Sequence, residues 1–321
     1  PPPYSSAASD VYKRQELEWS SDEASRVIGG KILNEYGLSN KFIIGGSADL
    51  AASTKQIISD NTFGSNNFGG NSIEFGIREH AMGGIVNGLA LHSNLIPYGS
   101  TFLVFSDYMR PSMRLASLMN VNSLFIFTHD SIYLGEDGPT HQPIEHLMSL
   151  RLIPNLDVIR PSNSMELIHS YRYALEKRDN PKAIILSRQN MKFFDNDVSY
   201  KDFQTGAYEF MPGSDITLIA TGSELELAFE ISTKLKDLSV QIISAPILNR
   251  LNEERLESLS LNQNIFTIEL GRTIGWDTYI QNIKKSFSID SFGESAPIDQ
   301  LAEKFNFSAE KISNEIRSLL T

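Results

Sequence analysis

The sequence predicts an α/β protein made of two consecutive three-layer α/β/α domains with mostly parallel sheets. Two observations lead to this prediction. Extended apolar segments alternate with segments of helical period from about residue 20 onward, and a stretch without an apolar period interrupts the alternation near residue 200. Alternating strands and long helices are typical of parallel sheets covered on both faces.

Composition limits the classes of protein that the chain can belong to. It has 321 residues, of which 41% are hydrophobic and 21% charged, enough to bury the cores of two domains. The net charge of −11 disfavours binding to nucleic acid or to an anionic membrane. Since cysteine is absent, disulfides and thiolate metal sites are excluded. No apolar run approaches the roughly 20 residues of a membrane span, so we expect a cytoplasmic protein.

The first domain is predicted over residues 20–192. A tail at residues 1–19 precedes it, without apolar period or the core of a signal peptide, and we expect it to be non-native or disordered. The predicted elements are a helix at 23–35, strands at 42–45 and 72–76, a helix at 79–92, an amphipathic segment at 102–118 broken by Pro111, strands at 123–128 and 157–160, a helix at 164–177 and a strand at 183–187.

A linker at residues 193–213 and a second domain at 214–321 complete the prediction. The second domain contains strands at 215–222, 240–246 and 264–269, a helix at 224–238, and a helix beginning at Ile298 after a loop. The turn formed by Gly222, Ser223 and Glu224 joins a strand to a helix, an arrangement that can bind an anion through backbone N–H groups. Alone it is weak evidence for a site.

The run GEDGPTHQP, residues 135–143, places two carboxylates and a histidine directly after an apolar strand. Glycine and proline constrain the backbone there, and open α/β sheets bind ligands at the carboxyl ends of their strands. A solvated turn explains this run alone equally well.

A second dense region begins at Glu79, the first residue of a predicted helix, where the helix dipole favours a carboxylate. Its neighbours are small and apolar, which suits a carboxyl group held away from water. Phe102, Phe105 and Tyr108 then recur every third residue, which on one helix face would form an aromatic wall. Each feature alone is more often structural than functional.

Several motifs together resemble the transketolase family. They occur in the family's order and at its spacing, and the resemblance extends over the chain from about Ser20 onward. The resemblance implies a pyrimidine-binding domain followed by the family's C-terminal domain. It rests on GGSADLAAS at 45–53, FGIREHAM at 75–82, STFLVFSDYMR at 100–110, THDSIYLGEDGPTHQP at 128–143, LSRQN at 186–190 and FGESAP at 292–297.

The resemblance implies thiamine diphosphate as cofactor and a two-carbon glycolaldehyde transfer from a ketose phosphate to an aldose phosphate, as in the pentose phosphate pathway. Glu79 would hydrogen-bond the aminopyrimidine ring of the cofactor. The aromatic pocket around that ring would be formed by Phe105, Phe102 and Tyr108, and Asp49 would lie nearby.

The resemblance also implies substrate-binding residues. The family's phosphate-binding set is matched by Arg26, Ser53, His129 and Arg188. Positions near the sugar hydroxyls are matched by Asp137 and His141, and His141 would also be catalytic. Beside two of these the sequence departs from the family, with Val27 in place of a lysine and Ala52 in place of a proline.

The family's N-terminal domain, which holds the diphosphate through Mg²⁺ with a Gly-Asp-Gly motif, has no counterpart in the sequence. We therefore predict no metal ligands here, contact with the pyrimidine half of the cofactor only, and no activity without a diphosphate-binding domain. Truncation of a homodimeric enzyme and a natural split with a separate N-terminal subunit both fit. There are two alternatives. One is a related thiamine enzyme, such as dihydroxyacetone synthase or a 2-oxo-acid dehydrogenase β subunit, and the other is a non-catalytic assembly module.

Overall fold

Two sheets follow one another along the chain, and each is covered by helices. The structure is a computed structural model that describes residues 22–58, 61–92, 94–192, 194 and 198–321. The tail predicted at residues 1–19 lies outside the described residues.

The first unit alternates strands and helices, as the sequence predicts. Its strands are β1 (Glu23–Ala24), β2 (Ile43–Ser47), β3 (Ser72–Glu74), β4 (Ile96–Phe102), β5 (Leu124–Thr128), β6 (Asp157–Ile159), β7 (Lys182–Ile185) and β8 (Asn190–Met191). Its helices are α1 (Ser25–Ser39), α2 (Ala51–Thr54), α3 (Glu79–His92), α4 (Ser106–Leu118), α5 (His146–Arg151) and α6 (Ser164–Glu176).

Strands β2 to β7 form a parallel sheet in the order β3-β2-β4-β5-β7-β6. Every residue of β5 is buried, as expected for an apolar strand covered on both faces. The short strands β1 and β8 pair antiparallel, with Glu23 opposite Met191, and bring the two ends of the unit together.

Strand β4 was not predicted, because Pro97 and Gly99 interrupt its apolar pattern. All seven of its residues are buried. The proline is tolerated because pairing with β5 begins one residue later, at Tyr98, so its missing N–H falls outside that ladder. Gly45 on β2 allows the strands to approach, since a Cβ there would come within 2.0 Å of the carbonyl oxygen of Tyr98.

The second unit contains a five-stranded sheet in the order β13-β12-β10-β11-β9, parallel except for the edge strand β9. Its strands are β9 (Tyr208–Met211), β10 (Ile216–Ala220), β11 (Val240–Ser244), β12 (Ile265–Ile268) and β13 (Ile283–Phe287), and its helices are α7 (Tyr200–Phe203), α8 (Glu224–Lys234), α9 (Glu253–Leu259), α10 (Ile298–Lys304) and α11 (Ala309–Leu320).

Among the described residues, none of the chain's helices combines the length and hydropathy needed to cross a bilayer.

The interval predicted as a linker contains both α7 and β9. Its polar sequence concealed them, since α7 is one turn long and β9 lies at the sheet edge, where only Tyr208 of the strand is buried. Phe194 anchors this segment to the second unit: its ring meets Phe210 at 5.1 Å and Phe229 at 5.5 Å.

A buried network of charged side chains joins the two units. Arg160, directly after β6, donates to Asp130 at 2.8 Å and to Glu224 at 3.0 Å. Arg151 makes a bidentate pair with Glu269 at 2.8 and 2.7 Å. These five residues, which we call the interface network, are all at most 4% exposed.

Within the interface network the carboxyl groups depend on the arginines. Burial favours the neutral form of Glu269, but Arg151 and Arg160 hold its pKa below the ordinary value. Burial raises the pKa of Glu224, opposed by Arg160. Two cations thus face three carboxyl groups, and removing either arginine would leave buried acid without a counter-charge.

Candidate active site

The carboxyl ends of the first unit's parallel strands lie at one edge of its sheet, and the residues after them form the candidate site. β4 runs between β2 and β5, with Ser100 opposite Ser47 and Phe102 opposite Thr128. Because parallel strands end at the same edge, segments distant in sequence meet there.

An aromatic wall rises from this edge. Phe102 and Phe105 stack with ring centroids 5.8 Å apart and planes 8° from parallel, and Phe105 lies 6.1 Å from Tyr108. The wall does not come from one helix face, as the spacing had suggested. Phe102 ends β4, Phe105 ends the 3₁₀ turn Leu103–Phe105, and Tyr108 belongs to α4. The wall runs from buried Phe102 to Tyr108, which is 64% exposed.

Glu79 is the first residue of α3 and is only 8% exposed. It follows β3, which neighbours β2 at the same edge. Helix α3 packs closely on α4, since a Cβ on Gly83 would come within 2.7 Å of Ser112. Among the described residues, no side chain hydrogen-bonds its carboxyl group, which leaves its oxygens for a ligand.

Two histidines contact the wall. His129 stacks on Phe102 at 3.7 Å, and His141 meets Phe105 edge-on at 5.6 Å. His129 has a left-handed backbone with φ of 60° and lies 2.8 Å from the Thr128 hydroxyl through Nδ1. Burial, with the charges of Arg26 and Arg188, lowers the pKa of His129 to about 3. Its ring is therefore neutral near pH 7.

The predicted phosphate-binding residues come together beside His129. A guanidinium N–H of Arg26 donates to the carbonyl of Ser53, and Nε donates to the carbonyl of Arg188 at 3.4 Å. Burial and the neighbouring charge of Arg188 lower the pKa of Arg26. Two arginines held this close repel each other, and an anion between them would relieve the repulsion.

Asp49 and Asp137 are both exposed at this edge. Among the described residues, neither carboxylate has a hydrogen-bond or ion-pair partner. Asp49 follows β2 with φ of 61°. Asp137 lies in a loop that turns at Gly135 and Gly138, with φ of 89° and 80°. The structure thus brings both to the rim of the site, but it gives no direct contact between them and the wall.

Two protein-family models match this chain. Residues 24–193 match the family model "Transketolase, pyrimidine binding domain", and residues 206–308 match "Transketolase-like TK C-terminal domain".

The chain belongs to the transketolase family.

Individual relatives agree in sequence and in structure. The transketolase of Staphylococcus aureus (strain MRSA252) is 42% identical, over 94% of this chain and 48% of the relative. The transketolase structure from Leishmania mexicana superposes with a TM-score of 0.89 at 33% identity, over 95% of this chain and 46% of that one. A split-gene transketolase, described as an inactive β4 tetramer, has a TM-score of 0.77 at 25% identity, over 94% of this chain and 99% of that one.

The chain spans about half the length of the curated transketolases it matches. Its share of the split-gene neighbour is nearly complete. Among solved transketolase structures, chains that carry the two matched domains therefore occur both as part of a longer chain and alone.

One further polar cluster in this transketolase-family chain was not found from sequence. His146 Nε2 lies 3.2 Å from Asp107, and with Glu145 their ligand atoms fall within 4.8 Å of one another, a donor set that could hold a metal ion. Both carboxylates are exposed, and the contact with Asp107 already occupies one imidazole nitrogen. We assign the cluster to the junction of α4 and α5.

The turn at Gly222, considered above for anion binding, is filled by protein. A Cβ on Gly222 would come within 2.8 Å of the Arg160 side chain, and Glu224 pairs with that arginine. This turn therefore belongs to the interface network.

Proposed function

We propose that the chain is the pyrimidine-binding and C-terminal half of a transketolase that transfers a glycolaldehyde unit from a ketose phosphate to an aldose phosphate. One observation carries the proposal: three features share one sheet edge. They are a buried Glu79 whose carboxyl group has no side-chain hydrogen-bond partner within the described part of the chain, a stacked aromatic wall, and the neighbouring residues Arg26 and Arg188, which we call the arginine site. We expect this enzyme to act in the pentose phosphate pathway and to be cytoplasmic.

The residues present fit the pyrimidine half of thiamine diphosphate. Phe105 offers a half-buried ring face for stacking, continued by Phe102 and Tyr108. Glu79 offers a buried carboxyl group that can hydrogen-bond a nitrogen of the pyrimidine ring. When bound, the cofactor supplies the electron sink for cleavage of a carbon–carbon bond. Asp49 would approach the ring from the exposed end of β2.

Phosphate binding is assigned to the arginine site. Arg26 and Arg188 supply positive charge, Ser53 adds a hydroxyl, and neutral His129 can hydrogen-bond without adding to the repulsion. Asp137 and His141 would contact the sugar hydroxyls, and His141 would move a proton at the reacting carbon. Its ring contact with Phe105 would keep it beside the cofactor pocket.

The chain is proposed to need a partner. We assign residues 20–192 to the pyrimidine-binding domain, 193–213 to the linker and 214–321 to the C-terminal domain, and Mg²⁺ to a diphosphate-binding domain supplied in cis or by another subunit. The outer face of α3 supports association, because Ile85 is 47% exposed and a Cβ on Gly84 or Gly88 would meet open space. In the complete enzyme we expect a homodimer across this face. The split-gene neighbour, inactive as a β4 tetramer, is consistent with such dependence.

Reconstitution tests the proposal. The chain alone, and the chain mixed with a transketolase diphosphate-binding domain, thiamine diphosphate and Mg²⁺, are assayed for transfer from a ketose phosphate to an aldose phosphate. We expect turnover only in the mixture. Turnover by the chain alone, or no turnover in a mixture that forms a stable complex, would overturn the proposal.

A further inference from the structure

A loop of the second unit packs on the loop that carries Asp137 and His141. This loop, residues 292–297, follows β13. The main-chain carbonyl of Glu294 accepts a hydrogen bond from Gln142 at 2.9 Å, and the hydroxyl of Ser295 donates to the carbonyl of Glu136. A Cβ on Gly138 would lie 3.2 Å from the side chain of Ser295. The two units therefore touch at the site as well as at the interface network.

Gln142 is the centre of this contact. It is 2% exposed, and its Nε2 also faces the carbonyls of Ile132 at 3.2 Å and Gly135 at 2.9 Å. The two N–H bonds of this amide are thus shared among three carbonyls, one of them in the second unit. With all three acceptors on the nitrogen side, the orientation of the amide is fixed. Its Oε1 is buried without a partner among the described residues.

Gly293 explains how the second unit approaches so closely. A Cβ at this position would lie 1.7 Å from Gln142 Oε1 and 2.7 Å from its Cδ. No side chain can occupy that space while the amide keeps its place. Only glycine permits both the loop path and the three hydrogen bonds.

Gln142 and His141 belong to the same turn. Both main-chain N–H groups donate to the carbonyl of Gly138, at 3.0 Å from His141 and 3.1 Å from Gln142. A displacement of Gln142 would therefore be passed to the turn that holds the His141 ring against Phe105.

We propose that Gln142 is a positioning residue through which the second unit's loop, by way of Gly293 and Glu294, fixes the loop carrying Asp137 and His141. The C-terminal domain, which holds none of the predicted catalytic residues, would thereby set the geometry of the site. The catalytic consequence rests on the proposed function, whereas the mechanical coupling does not.

Gly293→Ala tests the coupling in the 321-residue chain by hydrogen exchange. The added methyl group should displace the Gln142 amide, and exchange at residues 135–141, more than 150 positions away in sequence, should accelerate about tenfold. Gly64→Ala is the matched control, because a Cβ there meets nothing within 4 Å. Unchanged exchange at 135–141 in Gly293→Ala would overturn the proposal.

A double variant establishes the route. Gln142→Ala should accelerate exchange at 135–141 to a similar extent. In Gln142→Ala/Gly293→Ala the methyl group has no amide to displace, so the effect should not exceed that of the larger single variant. Additive effects would mean that the methyl group acts elsewhere, and would refute the assignment of Gln142.

Activity in the reconstituted enzyme supplies the catalytic readout. We expect Gly293→Ala to lower kcat about tenfold and leave KM for the ketose phosphate within about twofold, because the arginine site is untouched. An equal rise in KM with unchanged kcat would contradict positioning of His141. If the unmodified mixture has no transfer activity, the proposed function fails, while the exchange experiment still decides the coupling.

Discussion

Charged side chains have opposite surroundings in the interface network and at the carboxyl edge of the first sheet. In the network every charged residue is buried and faces an opposite charge, as Arg151 does at 2.7 Å from Glu269. At the edge, burial and the charge of Arg188 lower the pKa of Arg26, the His129 ring is neutral near pH 7, and the Glu79 carboxyl group has no side-chain hydrogen-bond partner within the described part of the chain.

This difference separates architecture from chemistry. Charges that face opposite charges within the fold hold the two units together. Charges left unsatisfied at a sheet edge cost stability, which a fold tolerates where a ligand or partner completes them. The comparison predicts that substitutions in the network change mainly stability and substitutions at the edge change mainly activity.

The largest expected effect on stability comes from Arg160→Ala. It leaves Asp130 and Glu224 buried without their cation and should lower the free energy of unfolding by about 3–5 kcal/mol, measured by urea denaturation. The matched control is Arg317→Ala, which removes an exposed pair with Asp237 and should cost at most about 1 kcal/mol. Equal losses in the two variants would contradict the distinction drawn here.

Glu79→Gln should have the converse signature. Loss of the carboxyl group should reduce transfer by the reconstituted enzyme about 100-fold or more, while the free energy of unfolding changes by at most about 1 kcal/mol. Glu74→Gln, at an exposed carboxylate on β3, is the control for both measurements. Unchanged turnover would support the alternative of a non-catalytic assembly module.

His129→Asn should have a smaller effect on stability, which appears as a change in its pH dependence. The folded pKa of about 3 lies below the unfolded value of 6.5, so between these values the unfolded chain binds more protons. Stability from this residue is complete above pH 6.5 and is lost as the pH falls.

From pH 7 to pH 5 the loss due to His129 should be about 2 kcal/mol. Asparagine tolerates the left-handed backbone at this position and does not titrate, so the variant should lack that part of the loss in urea denaturation at the two pH values. His92→Asn, at the exposed end of α3, should keep it. The same pH dependence in all three proteins would refute a buried neutral His129.

Local sequence patterns predicted most of the first sheet. Strand β5 has an uninterrupted apolar run, and α3 begins at the predicted Glu79, since both signals are local. Strand β4 was missed because its burial depends on register with β2 and β5, which Pro97 and Gly99 conceal. Strand β9 was missed because an edge strand has only one neighbour and a mixed pattern.

The family resemblance names residues for the proposed site, but the sequence does not show how they are arranged. The family resemblance named Phe102, Phe105 and Tyr108, yet the three rings are aligned by a strand, a turn and a helix in succession. Gln142 lies inside a motif recognised from sequence, but its role depends on Gly293 in the other unit. A contact between two loops about 150 residues apart leaves no local pattern. The interface network was missed for the same reason.

The pairing of β1 with β8 makes the first unit a closed module whose entry and exit points are neighbours. Ser25 and Ser187, 162 residues apart, are joined by their hydroxyls at 3.0 Å. This closure also brings Arg26 to the main chain of Arg188, so the proposed phosphate site lies where the two ends of the module meet. Because its two ends are close together, the whole module could be inserted into a surface loop of another protein, with Arg26 and Arg188 already next to each other.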